Sequence, residues 1–183
     1  MKPTAIIGVS AQGGAFTKEV VEKMTKLNEH PIIFALSNPT NKAECTAVDA
    51  YTWSNGKCIF ASGSPFDPVT LPDGRHFVPG QGNNAYIFPA VGLAAVAAKA
   101  LTISDDDFLV AATALAELVP KEKFAVGCCY PDLSNIRDVS QKVAAAVSKN
   151  IYETGRSELT NLPKDFNWFE HCGKLMYYPS YNN

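Results

Sequence analysis

The chain has 183 residues, of which 46% are hydrophobic and 19% charged, a composition that fits about one globular domain. Its formal net charge of -2 offers no basic field for nucleic acid or an anionic membrane surface. The longest apolar stretch, residues 85–98, is Ala-rich, contains Pro89 and is too short to span a bilayer. We therefore expect no nucleic-acid partner and no membrane association.

Three short apolar runs, residues 4–9, 31–36 and 57–61, have the length and composition of buried strands. Between them lie two stretches with helical spacing of apolar residues, 17–27 and 41–53. Strands that alternate with helices predict a parallel sheet, because each connection must cross back over one face. The loops that follow the three strands should then leave the sheet at one edge, the carboxyl edge, where open α/β sheets bind ligands.

The rest of the chain is predicted to be one long loop followed by helices. Residues 62–84 show little periodicity, whereas 85–100 is apolar on nearly all sides, with Pro89 in its first turn or at a kink. A capping box of Ser104 and Asp107 opens the next helix, which ends before Pro120, and a further helix covers 135–154. We expect residues 1–155 to form one domain, and the aromatic tail 156–183 to pack on it or on a partner subunit.

The five cysteines are an odd number without a CxxC pair. This favours unpaired, mostly buried thiols in a reducing intracellular compartment, either the cytosol or an organelle. A redox or metal role for them is the alternative. The cysteines are listed in chain order: Cys45, Cys58, Cys128, Cys129 and Cys172.

The first loop lacks the fingerprint of a complete dinucleotide fold. Its glycines, Gly8, Gly13 and Gly14, do not have the G-x-G-x-x-G spacing, and the second strand ends without a carboxylate for a ribose. The fold class that we predict is therefore α/β, namely the C-terminal half of a Rossmann-like parallel sheet flanked by helices, followed by a helical region. Such a half sheet leaves an inner edge unpaired, so we expect the chain to be part of something larger.

Carboxamides are the strongest candidates for ligand binding. Asn38 follows a buried strand directly, and Asn83 and Asn84 follow two glycines at the start of the buried helical segment. Neutral donors at a sheet edge and near a helix N-terminus suit an anion such as a carboxylate. The alternatives are an Asx turn at Asn38 and a simple helix cap at the Asn pair. No general acid or base is recognisable from its spacing.

Several long motifs resemble malic enzyme. They are Gly8-Val9-Ser10 with Gly13-Gly14-Ala15-Phe16, Phe34-Ala35-Leu36-Ser37-Asn38-Pro39-Thr40, Ala43-Glu44-Cys45-Thr46-Ala47, Phe60-Ala61-Ser62-Gly63-Ser64-Pro65-Phe66 and Pro79-Gly80-Gln81-Gly82-Asn83-Asn84. The resemblance covers about residues 2–155, and the tail looks most like plant-type members.

The resemblance implies oxidative decarboxylation of L-malate to pyruvate and CO2 with NAD or NADP and with Mg2+ or Mn2+. It implies that Asn38, Asn83 and Asn84 bind malate. It also implies that the nicotinamide ribose is bordered by Val9, Ser10, Leu36, Ser37 and Asn38. The family's metal ligands, acid/base residues and cofactor fingerprint precede the matched segment, so the chain alone should be inactive and should belong to a homo-oligomeric parent. The alternative is a non-catalytic α/β module that binds carboxylates or nucleotides and acts as a regulator or subunit partner.

Overall fold

The computed structural model describes residues 1–179. By its contacts the chain divides into two compact units. Unit 1 comprises Met1–Asn83 and Val119–Tyr130, and unit 2 comprises Asn84–Leu118 and the chain from Pro131 onwards. Unit 2 continues through residue 155, and the predicted domain of residues 1–155 with a tail packed on it or on a partner subunit stays a prediction. No helix among the described residues is long and apolar enough to cross a membrane.

Unit 1 is built on a four-stranded parallel sheet, which confirms the predicted fold class. Its strands, in spatial order, are β1 (Ala5–Gly8), β2 (Ile32–Ala35), β3 (Ile59–Ser62) and β6 (Gly80–Gln81). The first residues of the three longer strands are aligned, with Ala5 beside Ile32 and Ile32 beside Ile59. The strands therefore end at nearly the same level, and the loops that follow them leave at one edge.

Helices α1 (Lys18–Leu27) and α2 (Ala47–Trp53) connect these strands, and α5 (Lys121–Ala125) adds a short helix to unit 1. The prediction of α1 is confirmed, but the prediction that α2 begins at Asn41 is wrong. Residues Thr40–Lys42 form a 3-10 turn, and α2 starts only after Thr46, whose hydroxyl accepts a hydrogen bond from the Asp49 N–H at 3.1 Å. The intervening carbonyls of Ala43 and Glu44 instead accept hydrogen bonds from the loop after β1.

The stretch 62–84, predicted to be one irregular loop, contains three two-residue strands. A small antiparallel hairpin pairs β4 (Val69–Thr70) with β5 (His76–Phe77), and β6 pairs in parallel with β3 and extends the main sheet. Strands of two residues carry no period-2 pattern, so the sequence could not reveal them. The physical consequence is that residues just after β6 share the carboxyl edge of the sheet.

Unit 2 is helical. Its helices are α3 (Phe88–Ala97), α4 (Asp105–Glu117), α6 (Ile136–Glu153) and α7 (Trp168–Leu175). The structure has Pro89 in the first turn of α3, with a 3-10 turn at Asn84–Tyr86 before it, so α3 is shorter than the predicted 85–100. The capping box of Ser104 and Asp107 is confirmed.

The tail is more regular than the sequence suggested, because Asn167 caps α7 by accepting a hydrogen bond from the Glu170 N–H. Helix α7 packs against α6 and α3, and Trp168 is buried. The predicted aromatic tail also included Tyr181, which lies outside the described residues.

Candidate functional site

The carboxyl edge of the sheet brings together two of the predicted amides. Asn38 lies three residues beyond the end of β2, and Asn83 lies two residues beyond the end of β6. Because β2, β3 and β6 are neighbouring parallel strands, both amides follow strand ends at the same edge. Asn84 follows Asn83 in the chain, is exposed and begins the 3-10 turn of unit 2.

Asn38 is exposed, but its carboxamide is held in one orientation. The Ser64 hydroxyl donates a hydrogen bond to Asn38 Oδ1 over 2.6 Å. No acceptor within residues 1–179 takes a hydrogen bond from Asn38 Nδ2. The amide therefore keeps its acceptor on the protein side and leaves its two donor hydrogens available to a ligand.

The loop after β3 that carries Ser64 is itself fixed from both neighbouring strands. The Gly63 N–H donates to the Ala35 carbonyl of β2 over 3.0 Å, and the Gly63 carbonyl accepts from Gln81 Nε2 of β6 over 3.1 Å. The hydroxyl of Ser62, which is fully buried, donates to the Ser64 carbonyl over 2.8 Å. Ser64 therefore approaches Asn38 from a backbone with little freedom to move.

Gly80 and Gly82 lie where neighbouring side chains pack closely on the backbone. A Cβ at Gly82 would lie 2.9 Å from Leu36 Cδ2 and 3.3 Å from the Tyr130 hydroxyl oxygen. A Cβ at Gly80 would lie 3.1 Å from Tyr130 Cδ2. The Tyr130 ring thus packs on the backbone around β6, and the side chain of Leu36 is held against Gly82.

The loop after β1 contains the exposed residues Val9 and Ser10 and a left-handed residue, Ala11, with a φ of 55°. This conformation disfavours any residue with a Cβ. A hydrogen bond from the Ala11 N–H to Ser37 Oγ, 2.8 Å long, supports the conformation from the loop after β2. The two predicted cofactor loops are thus joined directly.

Glu44 lies under this junction as a buried acid, with 1% of its surface exposed. Ser37 Oγ donates to Glu44 Oε1 over 2.5 Å, and within residues 1–179 Glu44 forms no ion pair. Its side chain occupies the space beside Gly8, where an added Cβ would lie only 2.3 Å from Glu44 Cδ. Ser37 is 95% buried, so its hydroxyl supports the loop internally while its backbone stays at the edge.

The cysteines do not add a nucleophile to this edge. All five are free, as predicted, and all except Cys129 are buried. Burial, with smaller contributions from nearby ionisable groups, raises the pKa of Cys45 to about 12, and burial raises that of Cys129 to about 11. The thiols of Cys45 and Cys129 are therefore protonated at neutral pH. Among the described residues, no group of three or more His, Cys, Asp or Glu side chains is arranged to hold a metal ion.

Two residues that matter at this edge were missed from the sequence. Neither Ser64 nor Glu44 was among the predicted site residues, and Glu44 fell within the helix predicted for residues 41–53. A signal was present for Ser64, because small hydroxyl residues directly after a buried strand can bond to neighbouring loops. No such signal was present for Glu44, because its contact with Ser37 depends on the late start of α2, at Ala47.

A parallel α/β sheet whose carboxyl edge presents the amide donors of Asn38 is the arrangement of nucleotide- and acid-binding α/β proteins. Comparison with known proteins identifies the group more closely. The family model described as "Malic enzyme, NAD binding domain" matches residues 1–152. The chain therefore belongs to the malic enzyme family and corresponds to its NAD-binding domain.

Individual proteins agree with this assignment. The chain is 52% identical over 181 residues to an NADP-dependent malic enzyme of Populus trichocarpa, a match that covers 99% of the chain and 30% of the relative. It is 51% identical to NADP-dependent malic enzyme 3 of Arabidopsis thaliana over 183 residues, 31% of that protein. The chain thus spans about a third of the length of these relatives.

Solved structures show the same fold. The crystal structure of malic enzyme from Pyrococcus horikoshii matches 95% of the chain with a TM-score of 0.70 and 25% identity. The crystal structure of Entamoeba histolytica malic enzyme matches 94% with a TM-score of 0.72 and 25% identity. The chain covers 35% and 31% of these two structures, respectively.

Proposed function

We propose that this chain forms the malate- and nicotinamide-binding part of an NADP-dependent malic enzyme, which oxidatively decarboxylates L-malate to pyruvate and CO2. The observation that carries the proposal is the free amide donor pair of Asn38 at the carboxyl edge, in a chain about half identical to NADP-dependent malic enzymes. The names of these relatives favour NADP over NAD, a choice that the sequence alone left open.

In this proposal the carboxyl edge has two parts. Asn38, Asn83 and Asn84 bind a carboxylate or the hydroxyl of malate, because uncharged N–H donors hold a carboxylate without changing its protonation. The nicotinamide ribose is bordered by the backbone and side chains of Val9, Ser10, Leu36, Ser37 and Asn38. The junction of Ala11 with Ser37 keeps the cofactor part in place before the cofactor arrives.

The remaining chemistry is assigned to the portion of the enzyme that this chain does not span. When bound, a divalent Mg2+ or Mn2+ would supply Lewis-acid polarisation of a substrate oxygen. We place its ligands, the acid/base residues and the cofactor fingerprint outside this chain, so the isolated chain is expected to be inactive. We also propose a homo-oligomeric enzyme in a reducing intracellular compartment, and one relative of Zea mays is named as chloroplastic.

A chimera tests the proposal. The matching segment of Arabidopsis thaliana NADP-dependent malic enzyme 3 is replaced by these 183 residues, and malate-dependent formation of NADPH is measured with Mn2+. We expect an active chimera and an inactive isolated chain. An inactive but folded chimera would contradict the proposal, and turnover by the isolated chain would contradict its dependence on the rest of the enzyme.

Within the chimera, Asn38→Ala is expected to lower kcat/KM for malate about tenfold or more, because a hydrogen bond to a charged ligand group is lost. Asn28→Ala is the matched control. Asn28 ends α1 before β2 starts, at the opposite edge of the sheet, and its amide bonds only to backbone carbonyls. Wild-type kinetics for Asn38→Ala would remove Asn38 from the substrate site.

A further inference from the structure

We propose that Ser64 is a positioning residue that sets the polarity of the Asn38 amide toward the substrate carboxylate. This inference rests on the proposed function, since it concerns the same site. It starts from the 2.6 Å hydrogen bond in which the Ser64 hydroxyl donates to Asn38 Oδ1. Ser64 does not touch the substrate in this proposal and acts only through Asn38.

The polarity of an amide matters because its two ends have opposite chemistry. A half-turn about its terminal torsion exchanges an oxygen acceptor for a pair of N–H donors at nearly the same position. The donor end attracts a carboxylate oxygen, whereas the oxygen end repels it. The hydrogen bond that the Ser64 hydroxyl donates to Oδ1 holds the orientation in which the N–H pair is the end left for an anion.

Ser64 is well suited to hold that orientation. Its side chain is buried, with 8% of the residue exposed, and its carbonyl is fixed by the buried hydroxyl of Ser62. The preceding residue must be glycine, because a Cβ at Gly63 would lie 2.2 Å from the Leu36 carbonyl oxygen and 2.8 Å from Asn38 Nδ2. The Gly63 backbone thus leaves room for the donor end of the amide beside it.

Asn38 belongs to both parts of the edge in the proposal, but among the described residues the Ser64 hydroxyl bonds to its amide oxygen and to none of the other residues of the cofactor part. Ser64 bonds to Asn38 from the loop after β3, whereas Ser37 bonds to Glu44 and Ala11 across the loops after β1 and β2. Removal of the Ser64 hydroxyl should therefore disturb binding of malate more than binding of NADP.

Kinetics of the active chimera test the consequence. Ser64→Ala is expected to raise KM for malate about tenfold, with KM for NADP changed less than twofold. Ser64→Thr keeps the hydroxyl and should restore KM for malate to within about threefold. Ser54→Ala is the control, because Ser54 is fully buried in unit 1 but lies between α2 and the start of β3, at the other edge.

An NMR measurement on the isolated chain tests the orientation itself. The Gly63 position faces Asn38 Nδ2, so a nuclear Overhauser effect is expected between the Asn38 side-chain NH2 and the Gly63 α-hydrogens. This Overhauser effect should weaken in the Ser64→Ala variant and persist in the Ser54→Ala variant. Its absence from the wild-type chain would overturn the inference.

Three kinetic outcomes would also overturn the inference: an unchanged KM for malate in Ser64→Ala, an equal rise in both KM values, and a folded Ser64→Thr variant without rescue. An inactive wild-type chimera with the Overhauser effect intact would refute the proposed function, and with it the substrate role of Ser64. The two failures are therefore distinguishable.

Discussion

Among residues 1–179, each of the two units buries one acid, and the hydrogen bonds of the two acids differ greatly. In unit 2, Asp107 accepts two hydrogen bonds from Arg156, one from Asn150 and one from the Ser104 N–H. In unit 1, the Glu44 carboxyl bonds only to Ser37 among the described residues, through the N–H and the hydroxyl of that serine. The helical unit thus uses its buried acid for stability, whereas the sheet unit uses its buried acid to hold Ser37 in the loop after β2.

The largest effect is expected when Asp107, the acid with several hydrogen-bond donors, is removed. Asp107→Ala leaves Arg156 without its partner and should lower the free energy of unfolding by about 3 kcal/mol. Chemical denaturation measures this decrease in the free energy of unfolding. Asp106→Ala deletes an exposed acid from the same helix turn and should change stability by less than about 0.5 kcal/mol. Equal losses for the two variants would show that the pair with Arg156 is not what stabilises unit 2.

The same pair predicts a dependence on pH. Hydrogen bonds from Arg156 hold the pKa of the Asp107 carboxyl well below its usual range. A carboxyl with a lowered folded-state pKa stabilises the fold above its unfolded pKa of about 3.9, and this contribution is lost as the pH falls below that value. Wild-type stability should therefore fall more steeply than that of Asp107→Ala between about pH 4 and pH 2.

The next effect tests whether Glu44 occupies the space beside Gly8. Gly8→Ala should cost about 1–3 kcal/mol, because the new methyl group collides with the Glu44 carboxyl. The double variant with Glu44→Ala should lose less stability than the sum of the single variants by about 1 kcal/mol or more. Gly92→Ala in α3 is the control, since a Cβ there meets nothing within 4 Å. Additive losses would contradict the contact.

A smaller effect separates backbone strain from function. Ala11 and Lys99 both have left-handed backbone, with φ values of 55° and 45°, but Ala11 lies in a proposed cofactor loop and Lys99 follows α3. Substitution of either by glycine should stabilise the chain by about 1 kcal/mol. In the chimera, only Ala11→Gly is expected to raise KM for NADP, because it loosens the loop. A rise of KM for NADP in both variants would show that the effect is not specific to the loop after β1.

The smallest effect concerns a buried hydroxyl in unit 1. Tyr51 is fully buried and stacks on Phe77 with ring centroids 4.5 Å apart, and its hydroxyl has no hydrogen-bond partner among the described residues. Tyr51→Phe keeps the ring and should leave stability unchanged or raise it by up to about 1 kcal/mol. Thermal unfolding measures the change. A loss above 1 kcal/mol would mean that the hydroxyl is bonded.

Sequence patterns predicted the regular parts of the chain well. The apolar runs of β1, β2 and β3, the stripe of α1 and the capping box at Ser104 are local signals, and the structure confirms each one. Local signals failed where distant contacts decide the structure. The start of α2 was misplaced because the carbonyls of Ala43 and Glu44 bond to the loop after β1, and β6 is too short to show any periodicity.

The strands β1, β2 and β3 and the position of Asn38 after β2 follow from residues close together in the chain, so the sequence by itself determined these three strands and the edge at which their loops lie. Only the tertiary structure decided how that edge is held. The bonds of Ser64 to Asn38 and of Ser37 to Glu44 join residues 26 and 7 positions apart. A hydrogen bond between separate loops depends on distances of a few tenths of an ångström, which no spacing in the sequence encodes.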